Sequence, residues 1–204
     1  MEKIFTAGKK IEAASKVLIM LHGRGAGAED ILSLKENLQI NDFAIIAPQA
    51  ENNSWYPQSF LAPPHQNEPW LSSSLAVIKN LIITINEKNI SNENIFFLGF
   101  SQGACLTLEF VARNASKYGG VVTFTGGLIG DKIYQENYKG NFQQTPFFIG
   151  SGDPDFHVPV ERVNVTAILL KTMGAVVTEK IYKNIGHTII ADEINQANTL
   201  IFNL

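Results

Sequence analysis

Cysteine is almost missing from this sequence: Cys105 is the single one in 204 residues. One thiol cannot close an internal disulfide, and it cannot furnish a cysteine-rich zinc site. Long apolar runs are missing too. A stretch such as Val17 to Leu21 falls far short of the roughly 20 residues that cross a bilayer. Charge interrupts the N-terminal stretch at Glu2, Lys3, Lys9 and Lys10 before a secretory apolar core can form. Basic residues are neither abundant nor clustered, 16 Lys and Arg against 19 Asp and Glu, for a formal net charge of −3. A nucleic-acid or anionic-membrane binder would want the opposite. These absences predict a reduced, cytoplasmic protein with no nucleic-acid partner and no stable membrane insertion. The composition that remains, 45% hydrophobic and 17% charged, suits one globular domain over residues 1–204.

Short β-type runs alternate with longer stretches of helical period, which predicts an α/β fold with a mostly parallel sheet covered on both faces. Strands are expected at Val17–Leu21, Phe43–Ala47, Ile95–Gly99, Gly120–Thr125, Thr145–Ile149 and Val176–Tyr182. The last carries Glu179 and Lys180 and so belongs at an edge. A weaker run at Lys3–Thr6 fits an antiparallel edge strand. Five helices are expected between them. Their apolar stripes are Ile31, Leu34 and Leu38; Leu71, Leu75, Ile78, Ile82 and Ile85; Ala104 to Ala112; Val160, Val163, Ala167 and Leu170; and Ile190 through Ile201 to Leu204. The third, opening at Ser101, is apolar almost all round and should be deeply buried. Two long connections, Pro48–Pro69 and Leu128–Gln144, follow strands and should overhang the carboxyl edge of the sheet, where such folds bind ligands.

Gly99-Phe100-Ser101-Gln102-Gly103 reads G-x-S-x-G between an apolar strand and an apolar helix. A tight strand-to-helix turn strains its central residue, and flanking glycines remove side chains that would collide. The hydroxyl is presented above the sheet edge at a helix N-terminus, which favours a developing negative charge. Ser101 is therefore the candidate nucleophile. A serine hydroxyl needs an imidazole to take its proton and a carboxylate to orient that imidazole. Of the four histidines, only His187 stands downstream of a plausible acid on its own βα loop, with Gly186 leaving room for the ring. The acid lies in Gly152-Asp153-Pro154-Asp155-Phe156-His157-Val158-Pro159, where spacing leaves Asp153 and Asp155 equal and one of them is expected to cap the following helix. A metal site from Asp153, Asp155 and His157 lacks further clustered ligands.

Acyl transfer also requires two backbone N–H groups aimed at the carbonyl oxygen. Gln102, after the nucleophile, and Arg24, in the loop Leu21-His22-Gly23-Arg24-Gly25-Ala26-Gly27, are the candidates for this oxyanion hole. His22 is expected to bond within the loop. The same loop supports a rival reading, since Gly23, Gly25 and Ala28 satisfy a dinucleotide-binding pattern. Glu51, its only candidate ribose ligand, comes too far past the strand end, and Ser101, Asp155 and His187 would be left without a role.

Together, Leu21-His22-Gly23-x-Gly25, Gly99-Phe100-Ser101-Gln102-Gly103, Gly152-x-x-Asp155-x-x-Val158-Pro159 and Gly186-His187 resemble the acyl-protein thioesterase, carboxylesterase and phospholipase family of small α/β-hydrolases. The resemblance implies an α/β-hydrolase fold without a large lid domain, no cofactor, and an ester or thioester as the small-molecule substrate. Its register, with the acid three residues after a glycine and ahead of Val-Pro, selects Asp155. The sequence departs from the family at Ser151, where His is usual, and at Phe156, where Pro is common; Arg24 and Gly25 differ from the loop typical of its eukaryotic thioesterases. Trp55, Tyr56, Phe60 and Leu61 of the long loop, with Phe156, are expected to line the substrate pocket. The alternative is that these aromatics anchor the loop to the core. Cys105, one turn past Ser101, is expected to pack. A non-catalytic binding protein of the same fold is the competing function class, and a homodimer is compatible with a domain of this size.

Overall fold

The computed structural model describes residues 3–203; Met1, Glu2 and the predicted helix terminus Leu204 lie outside them. Seven strands form one sheet: β1 (Ile4–Gly8), β2 (Lys16–Leu21), β3 (Phe43–Pro48), β4 (Ile95–Phe100), β5 (Gly120–Phe124), β6 (Pro146–Asp153) and β7 (Val176–Lys183). Their spatial order is β1-β3-β2-β4-β5-β6-β7. Only β1 runs antiparallel, pairing Ile4 with Pro48 and Gly8 with Ala44. Both the antiparallel edge and the polar β7 edge stand where the residue pattern puts them.

The central strands are apolar without alternation because both faces are covered. One face carries α2 (Trp70–Glu87), α3 (Gln102–Arg113) and α4 (Val160–Thr172), packed over Val17, Ile19, Leu21, Phe97 and Val121. The other carries α1 (Ala28–Leu32) and α5 (Ala191–Ala197), packed over Leu18, Met20, Leu98, Val122 and Phe148. Two predicted helices are interrupted. The first passes after Leu32 into a 3-10 segment, Ser33–Asn37, and the last passes at Asn198–Phe202 into a π-turn. A 3-10 or π turn shifts which residues face inward, so a stripe drawn with a single period reads straight through it.

Chain order places the site. From β2 the chain goes to β3 on one side, then returns through α2 to β4 on the other. The crevice at such a reversal opens at the carboxyl ends of β2 and β4, where loop 22–27 and Ser101 meet. Two glycines allow the approach. A Cβ on Gly103 would strike the Leu21 carbonyl oxygen and come within 2.6 Å of the His22 oxygen. One on Gly99 would lie 2.5 Å from the Gly103 oxygen. Gly103→Ala is expected to push α3 off β2, destabilising the fold by about 1–3 kcal/mol in urea unfolding. An unchanged unfolding midpoint would contradict this close contact.

A second expectation concerns Glu193, in the first turn of α5. One carboxylate oxygen takes the Ile190 N–H at 2.9 Å, while Oε1 is buried against Gly150 without a partner. Burial pushes the carboxyl from 4.5 to about 7. The folded chain therefore keeps a proton that the unfolded chain releases near its ordinary value. Stability attached to this group is complete below pH 4.5, falls as pH rises, and is gone above about 7. At about 1.4 kcal/mol per pH unit the loss is on the order of 3 kcal/mol. Glu193→Gln should flatten that decline when unfolding is compared at pH 5 and pH 8; an equally steep decline would contradict it.

Candidate active site

Ser101 joins β4 to α3 with φ 55° and ψ −119°. Such backbone angles cost a non-glycine residue about 1–3 kcal/mol and persist only where the surroundings enforce them. Here Ser101 N–H donates to the Phe124 carbonyl at 3.0 Å, and its own carbonyl receives Cys105 N–H at 2.9 Å. The hydroxyl is left free to face outward.

It meets His187. The imidazole Nε2 lies 2.8 Å from Ser101 Oγ, and Nδ1 lies 2.7 Å from Asp155 Oδ2. An ionised carboxylate can only accept, so Nδ1 carries the hydrogen and neutral Nε2 is left to accept from the serine hydroxyl. The other Asp155 oxygen receives the N–H groups of His157 and Val158 at 2.7 and 3.0 Å. The carboxylate is thus held on both oxygens, with its side chain fully buried. His187 is flanked by Phe100, 5.2 Å between ring centres, and by His157 at 4.8 Å. Three segments that are remote in sequence converge.

Some local reasons differ from those expected. Room for the His187 loop comes from Gly152, where a Cβ would lie 2.6 Å from the Gly186 oxygen; around Gly186 itself the space is open. Neither aspartate caps α4, whose N-cap is Pro159 with no side-chain bond. Asp155 instead caps the short turn before it, and the Asp153 carbonyl receives Asn184 N–H at 2.6 Å.

Arg24 and Gln102 stand beside Ser101. Among the described residues, neither backbone N–H donates to another backbone carbonyl. Their side chains grip the loop opposite. Gln102 Oε1 accepts Trp55 N–H at 3.0 Å, and its Nε2 donates to the Tyr56 carbonyl at 2.8 Å. The Arg24 guanidinium donates to the carbonyls of Tyr56, Pro57 and Gln58 at 2.8, 2.8 and 2.6 Å. His22, buried behind them, accepts Ala50 N–H on Nε2 at 3.1 Å, so its Nδ1–H donates to the Gly23 carbonyl at 2.8 Å. Burial lowers the pKa of this imidazole and keeps it neutral.

A cleft of about 400 Å³ opens over Ser101, lined by Tyr56, Phe60, Cys105, His157 and Val158 as well as Arg24 and His187. Tyr56 and Phe60 stand where expected; Trp55 and Phe156 do not. Trp55 is 3% exposed and tied inward by its indole N–H to the His22 carbonyl at 2.8 Å. It anchors the loop, and that N–H is the reason, since a buried indole seeks an acceptor. Phe156 is 94% exposed, because the two backbone bonds of Asp155 turn the chain outward there. Leu61 packs against the core rather than the cleft. His157, weighed in the sequence only as a metal ligand, enters the cleft lining through its place two residues after the acid. Cys105 is buried, and desolvation pushes its thiol up to about 12, so it remains neutral. Among the described residues no group of His, Cys, Asp and Glu converges to hold a metal, and no helix is long and apolar enough to cross a membrane. The dinucleotide alternative loses its helix: α1 is only Ala28–Leu32, and Gly25 N–H is committed to the Asn53 carbonyl at 2.8 Å.

Comparison with known proteins gives this arrangement a lineage. The family model for phospholipase/carboxylesterase matches residues 3–203. The crystal structure of a phospholipase/carboxylesterase from Dyadobacter fermentans is similar at 50% identity with a TM-score of 0.98, over 99% of this chain and 97% of that one. Acyl-protein thioesterase 1 of Saccharomyces cerevisiae is 26% identical over 94% of both chains. With acyl-protein thioesterase 1 of Gibberella zeae the match is 32% identical but covers 60% of this chain and 53% of that protein. A family match along almost the whole chain, carried on an α/β-hydrolase sheet, means that this protein belongs to the phospholipase/carboxylesterase family of hydrolases.

Proposed function

We propose that the protein hydrolyses carboxylic esters, and thioesters of the same shape, through an acyl-enzyme on Ser101. The observation that carries this reading is the unbroken relay from Ser101 Oγ through His187 to Asp155, at 2.8 and 2.7 Å. Ser101 Oγ attacks the carbonyl carbon while His187 Nε2 takes its proton. The carbonyl electrons move onto oxygen, and the uncommitted N–H groups of Arg24 and Gln102 receive that oxyanion. Collapse of the tetrahedral species breaks the bond to the leaving alcohol or thiol, which takes the proton back from His187. Water then gives a proton to Nε2 and adds to the acyl group; breaking the acyl–Ser101 bond returns that proton to Oγ and frees the acid. Asp155 stays ionised throughout and holds the imidazole in the tautomer that accepts.

The strained Ser101 backbone aims Oγ before substrate arrives, so the turn itself does part of the orienting. The neutral Cys105 thiol, one turn along, does not compete as nucleophile.

A fluorophosphonate probe should label the folded protein, and Ser101→Ala should abolish the labelling. Labelling that survives this change, or none in the wild type, would remove the assignment. Asp155→Asn is a sharper test. The His157 and Val158 N–H groups would keep hold of Oδ1, turning the new amide N–H₂ toward His187 Nδ1. That forces the hydrogen onto Nε2, where it blocks proton uptake. The expected fall in kcat is on the order of 10⁴-fold, with thermal unfolding little changed. A loss under tenfold would contradict the assigned role.

A further inference from the structure

Arg24 has more in its side chain than the loop contacts require. Arg24 lines the cleft, and its guanidinium is held on the carbonyls of Tyr56, Pro57 and Gln58, which are neutral and belong to residues that line the same cleft. Among the described residues it forms no ion pair, whereas Arg113 is neutralised by Glu109 at 2.7 Å. Two buried carboxylates lie close by: Asp155 is committed to His187 and two N–H groups, and Glu109 to Arg113, the Ile129 N–H and the Tyr138 hydroxyl. Among the described residues no Asp or Glu lines the cleft. The ring of His157, exposed on the acid loop, brings a further imidazole to the same opening. A chain of net charge −3 therefore sets one fixed positive charge, that of Arg24, beside its nucleophile.

Fixing matters as much as sign. A free arginine loses side-chain entropy when it binds an anion; one already held by three carbonyls has lost most of it. The carbonyl dipoles orient the guanidinium without cancelling its charge. Among the described residues its Nε–H and one NH1 hydrogen donate to no partner, so donors remain beside the formal charge.

We infer that Arg24 selects substrates, so that the site favours esters bearing a carboxylate or similar anionic group near the scissile bond over neutral and cationic analogues. This rests on the hydrolase reading of Ser101. The anion can stand on the acyl side or on the alcohol side, and the shared chemistry is a compact anion within reach of a fixed guanidinium.

The test uses esters in two series. On the alcohol side, 4-carboxyphenyl butyrate is compared with its methyl ester and with 4-(trimethylammonio)phenyl butyrate. On the acyl side, mono-4-nitrophenyl adipate is compared with 4-nitrophenyl hexanoate. Each kcat/KM is divided by the rate constant for hydroxide, which removes differences in leaving group. A unit charge a few ångströms from a surface cation predicts about tenfold preference for the anionic member of one series. The series that shows it locates the anion, and 0.5 M NaCl should shrink it through screening. Arg24→Gln should abolish the preference, and Arg24→Lys, which keeps the charge but not the three-carbonyl hold, should retain part of it, although both lower the absolute rates. Equal normalised rates in both series, or a preference that survives Arg24→Gln, overturns the inference while turnover itself keeps the Ser101 reading. A folded wild type that turns over no ester and takes no fluorophosphonate label overturns both.

Discussion

The strands β2 to β7 all point the same way, so every loop leaving one of their carboxyl ends opens on the same edge of the sheet. That constraint is what lets residues 101, 155 and 187 meet. Ser101 follows β4, Asp155 follows β6 and His187 follows β7. An antiparallel β6 or β7 would send its loop to the far edge, a strand length away. The parallel arrangement is in turn imposed by apolar strands that cannot leave either face wet. Burial, which has no chemical purpose of its own, therefore determines where the chemistry is assembled.

The second determinant is the grip that the loop after β2 and the turn after β4 exert on the loop after β3. Gln102 and Arg24 offer their backbones to the proposed oxyanion hole and their side chains to residues 55–58. One residue thus sets a cleft wall and a hydrogen-bond donor together. The shape of the cleft and the aim of the amides are coupled through the same two side chains, and a change in either loop moves both. The buried His22–Ala50 bond and the Trp55 indole bond close the circle from behind.

Much of this is visible in the amino-acid pattern, for physical reasons that differ residue by residue. Strand and helix order follow from period and burial, and Ser101 stands out because glycines at both sides of it are required by contacts under 3 Å. Asp155 was separated from Asp153 only by resemblance, since local spacing does not say which carboxylate the turn directs inward. Trp55 and Phe156 misled because hydrophobicity says that a ring prefers burial but not where its backbone points. An indole N–H seeking the His22 carbonyl and two N–H groups seeking Asp155 decided those directions. The breaks in the first and last helices, and the ring of His157 against His187, depend on tertiary contacts that no single-residue preference encodes.

The most direct examination of the central claim is rapid acid quench of the enzyme with 4-nitrophenyl butyrate, followed by peptide mass spectrometry. The account predicts a butyryl adduct on the peptide side chain of Ser101, formed in step with a nitrophenolate burst of one equivalent per active site. An adduct on Cys105 or elsewhere, or turnover with no adduct and no burst under conditions where deacylation is slow, would contradict it.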